Sequence, residues 1–578
     1  MKSLLFTGKE WALAVPPAIN LVDEISNELT CSPLLSILLA QRGGRQWRKI
    51  INPDRHTFHS PFLFSQMERA VRRLRNAIDS REKIFIHGDF DADGLTGAAL
   101  LYYGLLPLFP AGTIKVEVGD RTFGHGLSYA FVRRAIEEEF NLVVTVDCGI
   151  SDCEKISDLR EAGIDTIVTD HHLPFDELPS AVAIIDPHLP EETYPNRSLA
   201  GVGVAYKLVC GLYEQIGRPT PYHLLDLVCI GTIADLVPLA KENEVENRAI
   251  VREGLELLNR EKGSSYGIRA LIKELALKPE QLQADDIGYL IAPKINAANR
   301  AGDPKVAFLL LTTTQPDRAQ YLAEVLVDYN HDRTANQQEI TQQAKEILAK
   351  ENIHPSQDGI IIVGGRYWNE GIIGLVASSL VEEYDVPAIV FSYGDRISRA
   401  SCRSVNGFNI TACLQSCSNV LIHYGGHEMA AGLSLANERL TEFVTSVRSY
   451  LQNYPGPPAK RRLEIDAVID AQGVNTDAYK DLALLSPFGK GNPAPIFLLP
   501  CACFDELHLV GANGKHLKGK IIQADVTLPF IAFNFGGYID FLEKIADAGV
   551  VCSLEFDNWC NNIQLQLIDV VISGSATT

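Results

Sequence analysis

No two cysteines of this chain have CxxC spacing, and no stretch is apolar enough to cross a membrane. The 12 cysteines are scattered along 578 residues. Neither Cys413 and Cys417 nor Cys501 and Cys503 has the CxxC spacing of a structural zinc site. Reduced, mostly buried thiols in a cytoplasmic protein are therefore expected. No apolar run approaches the roughly 20 residues that span a bilayer. Met1 to Glu10 hold neither a sustained apolar segment nor a small-residue cleavage site, so neither a membrane anchor nor a secretory leader is expected. Positive charge is in deficit: 52 Lys and Arg stand against 72 Asp and Glu, a net charge of −20. At first that argues against a nucleic-acid partner, but the argument is weak. A metal-dependent site concentrates carboxylates and its cations reverse the local field, and a polyanion needs only a local basic patch.

What is present is a concentration of carboxylates at one point. Ile84 to Ile86 reads as a short buried strand. His87, Asp89, Asp91 and Asp93 crowd its end, Gly94 and Gly97 allow the turn, and Ala98 to Tyr103 is an apolar run that starts a helix. Carboxylates so close repel one another; a divalent cation offsets the repulsion, and hard oxygen donors suit Mg²⁺ or Mn²⁺. An Asp-rich turn with only capping roles would carry the same residues. The pattern then repeats. Strand candidates at 84–87, 113–118, 142–147, 165–169 and 181–185 alternate with helices, the signature of a parallel, helix-covered sheet. Asp147 ends one strand before a glycine turn, Asp170-His171-His172 ends the next, and Asp186-Pro187-His188 follows. A parallel sheet sets its C-terminal strand ends along one edge, so His87, Asp91, Asp93, Asp147, His171 and His172 should converge.

The length predicts three or more domains at roughly 100–200 residues each. Residues 1–60 read as a lead-in. Phe64 to Ile78 has a helical apolar side of Met67, Val71, Leu74 and Ile78; Arg69, Arg72, Arg73 and Arg75 lie along the rest, either a solvated face or a substrate-facing one. Residues 200–315 look mainly helical, and the apolar helix Leu224 to Leu236 carries Asp235, whose partner is a metal, a salt bridge or a cap. Asp317 to Lys350 reads as one long connector helix. A second α/β module begins at Gly359 and holds the polar loops Arg399 to Ser404 and Tyr424 to Glu428, where glycine pairs beside Arg, Ser and His suit phosphate binding. His427-Glu428 is no zinc-protease motif, because Ala431 stands where HExxH requires a second His. After a Pro/Gly-rich linker at Tyr454 to Arg462, short β-prone runs predict a small β-barrel. There Lys515, His516, Lys518 and Lys520, with Phe530 and Phe533, form either a surface for single strands or a solvated hairpin over core phenylalanines.

Together these motifs resemble the DHH phosphoesterase superfamily and, within it, the RecJ family of bacterial single-strand-specific 5′→3′ DNA exonucleases. The resemblance runs from about residue 45 onward. It rests on HGDFDADG at 87–94, VDCG at 146–149, DHH at 170–172, ADLVPL at 234–239, GGHEMAAG at 425–432 and PFGKGNPAP at 487–495. It implies an α/β architecture: a parallel-sheet DHH domain (61–315), a connector helix (316–352), a smaller α/β DHHA1 domain (353–453) and a C-terminal OB-like β-barrel (463–578). It implies two divalent cations, Mn²⁺ or Mg²⁺, bridged by Asp147. His87 and Asp91 would complete one site, with Asp89 replacing or supporting His87; Asp93, His171 and Asp235 would complete the other. His172 would contact the scissile phosphate or protonate the leaving oxygen, and Asp170 would orient the histidines. Arg121, Arg300, Ser401, Arg403, Gly426 and His427 would hold the terminal phosphate and backbone. The implied activity releases mononucleotides from single-stranded DNA in recombination and repair, by a monomer. A single-strand binding protein and a RecQ-like helicase are the protein partners the resemblance implies. An oligoribonuclease, a cyclic-dinucleotide phosphodiesterase or a pyrophosphatase would use the same metal centre, but the connector and the β domain argue against them. A non-catalytic replication scaffold is disfavoured because every acidic position is kept. The chain departs from the family pattern at Asn369, where His is expected, and at Lys294 and Asn299, within a motif usually closer to PRxNAxGR.

Overall fold

The computed structural model describes residues 8–51, 53–121, 124–241, 244–260, 265–454, 462–557 and 562–572. The first sheet has the strands β1 (Ile84–Gly88), β2 (Ile114–Val118), β3 (Leu142–Val146), β4 (Asp165–Thr169) and β5 (Ala183–Ile185), in the order β2-β1-β3-β4-β5. All pairings are parallel. The inner strands β1 and β3 are fully buried and mostly apolar because helices cover both faces, whereas the edge strand β2 carries Lys115 and Glu117 and is only half-buried. Register decides where the polar residues go. Gly88 pairs with Val118 and Val146, Val146 with Thr169, and Thr169 with Ile185. The residues that follow, Asp89, Asp147, Asp170 and Asp186, therefore leave the sheet side by side. The helix Ala92–Leu105 packs so closely on β3 that a Cβ at Gly97 would fall 2.4 Å from Val146 Cγ2.

A helical layer follows, and then one helix, Pro316–Lys350. Its N-terminal half gives Leu322, Ala323 and Leu326 to the first core, and its C-terminal half gives Ile340, Ala344 and Leu348 to the second. It is a beam shared by two lobes. The second lobe holds β6 (Ile361–Arg366), β7 (Ala388–Tyr393), β8 (Ile397–Arg403), β9 (His423–His427) and β10 (Ala430–Ala436), in the order β9-β10-β8-β7-β6. Only β6 and β7 pair in parallel.

The C-terminal strands Phe497–Val510, His516–Gln523, Val526–Ala532, Ala548–Asp557 and Asn562–Ile572 close into a barrel, because the first of them also pairs with Ala548–Asp557. The lead-in is part of this unit. Glu10–Leu13 pairs in parallel with Arg462–Ile465, and Ile25, Leu35, Leu38, Leu39 and Trp47 share one apolar cluster with the barrel core. Arg248, fully buried, fastens the unit to the first lobe by donating to the carbonyl oxygens of Ile50, Leu484 and Ser486. The PFGKGNP loop docks beside it: the Leu239 N–H donates to Lys490 O at 2.7 Å, and a Cβ at Gly491 (φ +76°) would fall 2.3 Å from Ala240 O.

Candidate metal centre and phosphate pocket

The helix Ala92–Leu105 begins on its own acid. Asp91 caps it, accepting from the N–H groups of Asp93 and Gly94 at 3.0 and 3.2 Å. Asp93 points inward, and its two oxygens accept from the Gly201 and Val202 N–H groups at 2.7 and 2.8 Å, at the start of the helix Gly201–Gln215. Asp147 leaves β3 in a left-handed conformation (φ +61°), an unusual backbone state for a residue with a side chain. Room for it exists because residue 201 is glycine: a Cβ there would fall 2.6 Å from Asp147 Cβ. Asp235 caps the C-terminus of the helix Leu225–Ala234.

These elements bring donor atoms together. Asp89, Asp91 and Asp147 form one group, Asp93, His171 and Asp235 a second, and Asp147, His171 and His172 a third; within each, the ligand atoms lie within 4.8 Å of one another. His171 Nε2 is 3.1 Å from Asp147 Oδ1, 3.7 Å from Asp235 Oδ2 and 3.9 Å from Asp93 Oδ2. The electrostatics are those of buried, crowded acids that the neighbouring histidines offset only in part. Burial and then Asp235 push the Asp93 carboxyl up to about 7. Burial raises Asp147 well above the ordinary carboxylate range, with Asp93 and Asp91 adding to it. Burial is also the main reason that Asp89 and Asp235 are raised. Asp147 Oδ1 and Asp89 Oδ1 are buried without a hydrogen-bond partner. Unpaired buried carboxylate oxygens facing one another, with an imidazole nitrogen among them, are a donor set that fits Mn²⁺ or Mg²⁺.

His87 is brought to the same edge but not into these groups. It is 2% exposed and packs edge-on to Phe131, and burial pushes it down to about 4. Asp170 sits behind the histidines. It accepts from the backbone N–H groups of Ile150, His171 and His172 and from His172 Nδ1 at 2.8 Å. Burial, the largest single influence, would raise its carboxyl, but the hydrogen bond and charge of His172, the Ile150 N–H and His171 together hold it below the ordinary value. Burial likewise opposes charge on His172, yet Asp170 and Asp147 lift it to about 9. Its ring is half exposed toward the cleft.

Across the cleft lies an arginine cluster. Arg300 donates to Gly371 O at 2.7 Å, which ties the helix Ala292–Ala301 to the second lobe. Its guanidinium is pushed down to about 9, first by burial and then by Arg121, Arg333 and Arg403. Arginine keeps its proton in proteins, so Arg300 is a buried positive charge among like charges. Ser401 and Arg403 lie at the start of the helix Ile373–Tyr384, where a Cβ at Gly374 would fall 2.9 Å from Ser401 Oγ and 3.1 Å from Arg403 Nη2. Gly426 and His427 lie on the edge strand β9, His427 exposed. Asn369 accepts from the Gly371 N–H and donates to Arg300 O, and Asn299 donates to Phe90 O, so both departures from the family pattern act as ties between backbones. Lys294 is lowered by burial and by Arg333.

Two residues near the site were not anticipated. His125 pairs with Asp89 at 2.9 Å, and Arg333 joins the arginine cluster from the connector helix. Neither carries a periodic or motif signal. Both basic groups are paired in part. Arg73 bridges Asp165 and Glu82, so it is structural. On the barrel, Lys518 and Lys520 pair with Asp557 and Glu506, and Phe530 is in the core; Phe533, beside His516, is the exposed ring.

A parallel sheet with acids and a DHH triad along its C-terminal edge, capped by a second lobe, defines a DHH-type phosphoesterase. Known proteins agree. The family described as "DHH family, N-terminal domain" matches residues 83–232, "DHHA1 domain" matches 357–453 and "RecJ OB domain" matches 465–569. The chain is 32% identical to the single-stranded-DNA-specific exonuclease RecJ of Salmonella typhimurium, over 93% of this chain and 95% of that protein. It is also 32% identical to the Bacillus subtilis protein of the same name, over 98% of this chain and 71% of that one. The crystal structure of Thermus thermophilus RecJ in complex with Mn²⁺ superposes with a TM-score of 0.83 at 27% identity, covering 97% of this chain and 79% of that one. The chain belongs to the RecJ family. Among the described residues no helix is long and apolar enough to cross a membrane.

Proposed function

We propose that this chain is a single-strand-specific 5′→3′ DNA exonuclease that releases mononucleotides by two-metal phosphodiester hydrolysis in DNA recombination and repair. The observation that carries this reading is a juxtaposition: a buried carboxylate–imidazole cluster at the sheet edge and, beside it, the buried guanidinium of Arg300 with Arg121 and Arg403 near it. The names of the relatives, single-stranded-DNA-specific exonucleases, and the solved RecJ with Mn²⁺ support it.

Asp89, Asp91 and Asp147 would hold one cation, and Asp93, Asp147, His171 and Asp235 the other. His87 stands outside both groups, so Asp89 is the better candidate for the first site. Bound there, the cations neutralise the attacked phosphodiester and ease deprotonation of the attacking water. The rest is the work of the chain itself. Asp170 fixes His172 through Nδ1, which leaves Nε2–H to donate to the scissile phosphate or the leaving oxygen. Arg121, Arg300 and Arg403, with Ser401 and the start of the helix Ile373–Tyr384, would hold the terminal 5′-phosphate. Anchoring a terminal phosphate beside the reacting centre accounts for attack from the 5′ end. The barrel would extend the path of the strand. A monomer in the cytoplasm, with a single-strand binding protein and a RecQ-like helicase as partners, completes the proposal on the family resemblance.

The test is digestion of 5′-labelled and 3′-labelled single-stranded DNA with Mn²⁺, beside a blunt duplex and an RNA dinucleotide, by wild type and Asp147→Ala. Early release of the 5′ label as mononucleotide, absent with the variant and on the duplex, is expected. Cleavage of the dinucleotide with little action on long DNA would move the assignment to the oligonucleotide-scavenging branch.

A further inference from the structure

We propose that His125 is a positioning residue for the metal centre: its Nδ1–H holds one oxygen of Asp89 and so presents the other to the cation. This rests on the assignment of Asp89 as a ligand. Asp89 is 1% exposed; its Oδ2 lies 2.9 Å from His125 Nδ1, and its Oδ1 is buried without a partner. A carboxylate accepts, so the ring nitrogen that faces it carries the proton. The imidazole is not itself a ligand, since among the described residues it belongs to none of the groups whose donor atoms lie within 4.8 Å. Nor is it adrift. The ring leans on Phe90 with centroids 4.6 Å apart, and its loop is pinned on both sides. The Gly119 N–H donates to Gly88 O at 2.8 Å, and the Leu127 N–H to Asp152 Oδ2 at 2.8 Å. At Gly126 (φ +90°) a Cβ would fall 2.4 Å from the same Asp152 oxygen, so the loop closes there only on glycine. Asp91, by contrast, is steadied by the backbone of its own helix, and Asp93 by that of another. For Asp89 the side chain of His125 is the larger stabilising partner, ahead of the Phe90 N–H.

Removing a hydrogen-bond partner of a metal ligand typically lowers metal affinity about 10–100-fold. The experiment measures Mn²⁺ binding to the full chain without DNA, by the electron-paramagnetic signal of free Mn²⁺, for wild type, His125→Phe, His125→Asn and Asp89→Asn. Phenylalanine keeps a ring on Phe90 but offers no donor; asparagine places an amide N–H near the Nδ1 position. The expected result is Mn²⁺ affinity lowered about 10-fold or more in His125→Phe and largely restored in His125→Asn. In His125→Phe, kcat recovers at excess Mn²⁺ and KM for DNA holds. The side chain is 66% exposed, so these exchanges leave the fold intact, which the melting temperature checks. Wild-type Mn²⁺ affinity in His125→Phe, with Asp89→Asn impaired, overturns the proposal and leaves the metal assignment standing. Equal impairment of the phenylalanine and asparagine variants overturns it as well. Wild-type affinity in Asp89→Asn overturns the assignment on which it rests.

Discussion

Gly201→Ala should disable the enzyme without touching a ligand. A Cβ at 201 would lie 2.6 Å from Asp147 Cβ and 2.8 Å from its Cα and Oδ1. Two of those atoms move only with the backbone, so no change of rotamer relieves the clash. Ordinary contact begins near 3.4 Å, and the two segments must part by about 0.8 Å. The displacement falls on a residue already held at φ +61° and on the N–H that fixes Asp93. Misplacing a catalytic group by about 1 Å costs on the order of 100-fold in rate, while local overpacking costs about 1–3 kcal/mol of stability. The expected result is kcat on 5′-phosphorylated single-stranded DNA reduced about 100-fold at saturating Mn²⁺, with unchanged circular dichroism and a melting temperature lower by a few degrees. Gly203→Ala, two positions along the same helix, is the control: its Cβ would come close only to Leu199 Cδ2, at 3.2 Å, and touch Leu199 Cβ at an ordinary 3.6 Å. Wild-type kcat in Gly201→Ala would refute the claim that the backbone placement of Asp147 sets the rate.

Asp147→Asn should abolish turnover yet raise the melting temperature of the metal-free protein, because it removes a buried charge from a cluster of acids and asparagine tolerates the left-handed backbone. Mn²⁺ at about 100 times its dissociation constant should stabilise the wild type by about 2.7 kcal/mol, read as a shift in thermal unfolding that chelator reverses. Arg403→Ala should weaken binding of 5′-phosphorylated DNA by about 1.5–3 kcal/mol, the worth of a charge-assisted hydrogen bond, and leave 5′-hydroxyl DNA nearly unaffected, in a comparison of KM values. Asp226 supplies a pH test away from the site. Burial pushes its folded-state carboxyl up to about 7, above the unfolded value, so its contribution to stability is full at low pH and is lost as pH rises through about 7. Asp226→Asn, which keeps an acceptor for the Leu227 N–H, should be the more stable protein at about pH 8, by at most a few kcal/mol, and match wild type near pH 4.

Much of the centre was legible because its signals are local. Asp89, Asp91 and Asp93 sit in one strand-to-helix turn; Asp147 and Asp170 each end an apolar run. A short apolar run before a polar turn and an amphipathic stretch marks a βα unit, and repeated units close into a parallel sheet. His125 and Arg333 escaped notice for the opposite reason. One is a lone loop histidine, the other a single arginine on a helix that is polar on most faces, and only the approach of a distant element gives either a role. Whether Lys518 and Lys520 were free was undecidable in the same way, since Glu506 and Asp557 are their partners through strand pairing rather than through spacing.

By itself, then, the sequence determined the strands, their polar ends and the acids that any fold of this class gathers at one edge, because hydrophobic period and turn chemistry act over a few residues. Tertiary structure alone decided which donor atoms come within a cation's reach, that Asp89 rather than His87 faces Asp91 and Asp147, and that Arg300 meets Arg403 across the cleft. It also joined the two ends of the chain, pairing Glu10–Leu13 with Arg462–Ile465 and burying Trp47 with the barrel core. Such contacts depend on where apolar faces far apart in the chain are buried together, and no local pattern in either segment records the other.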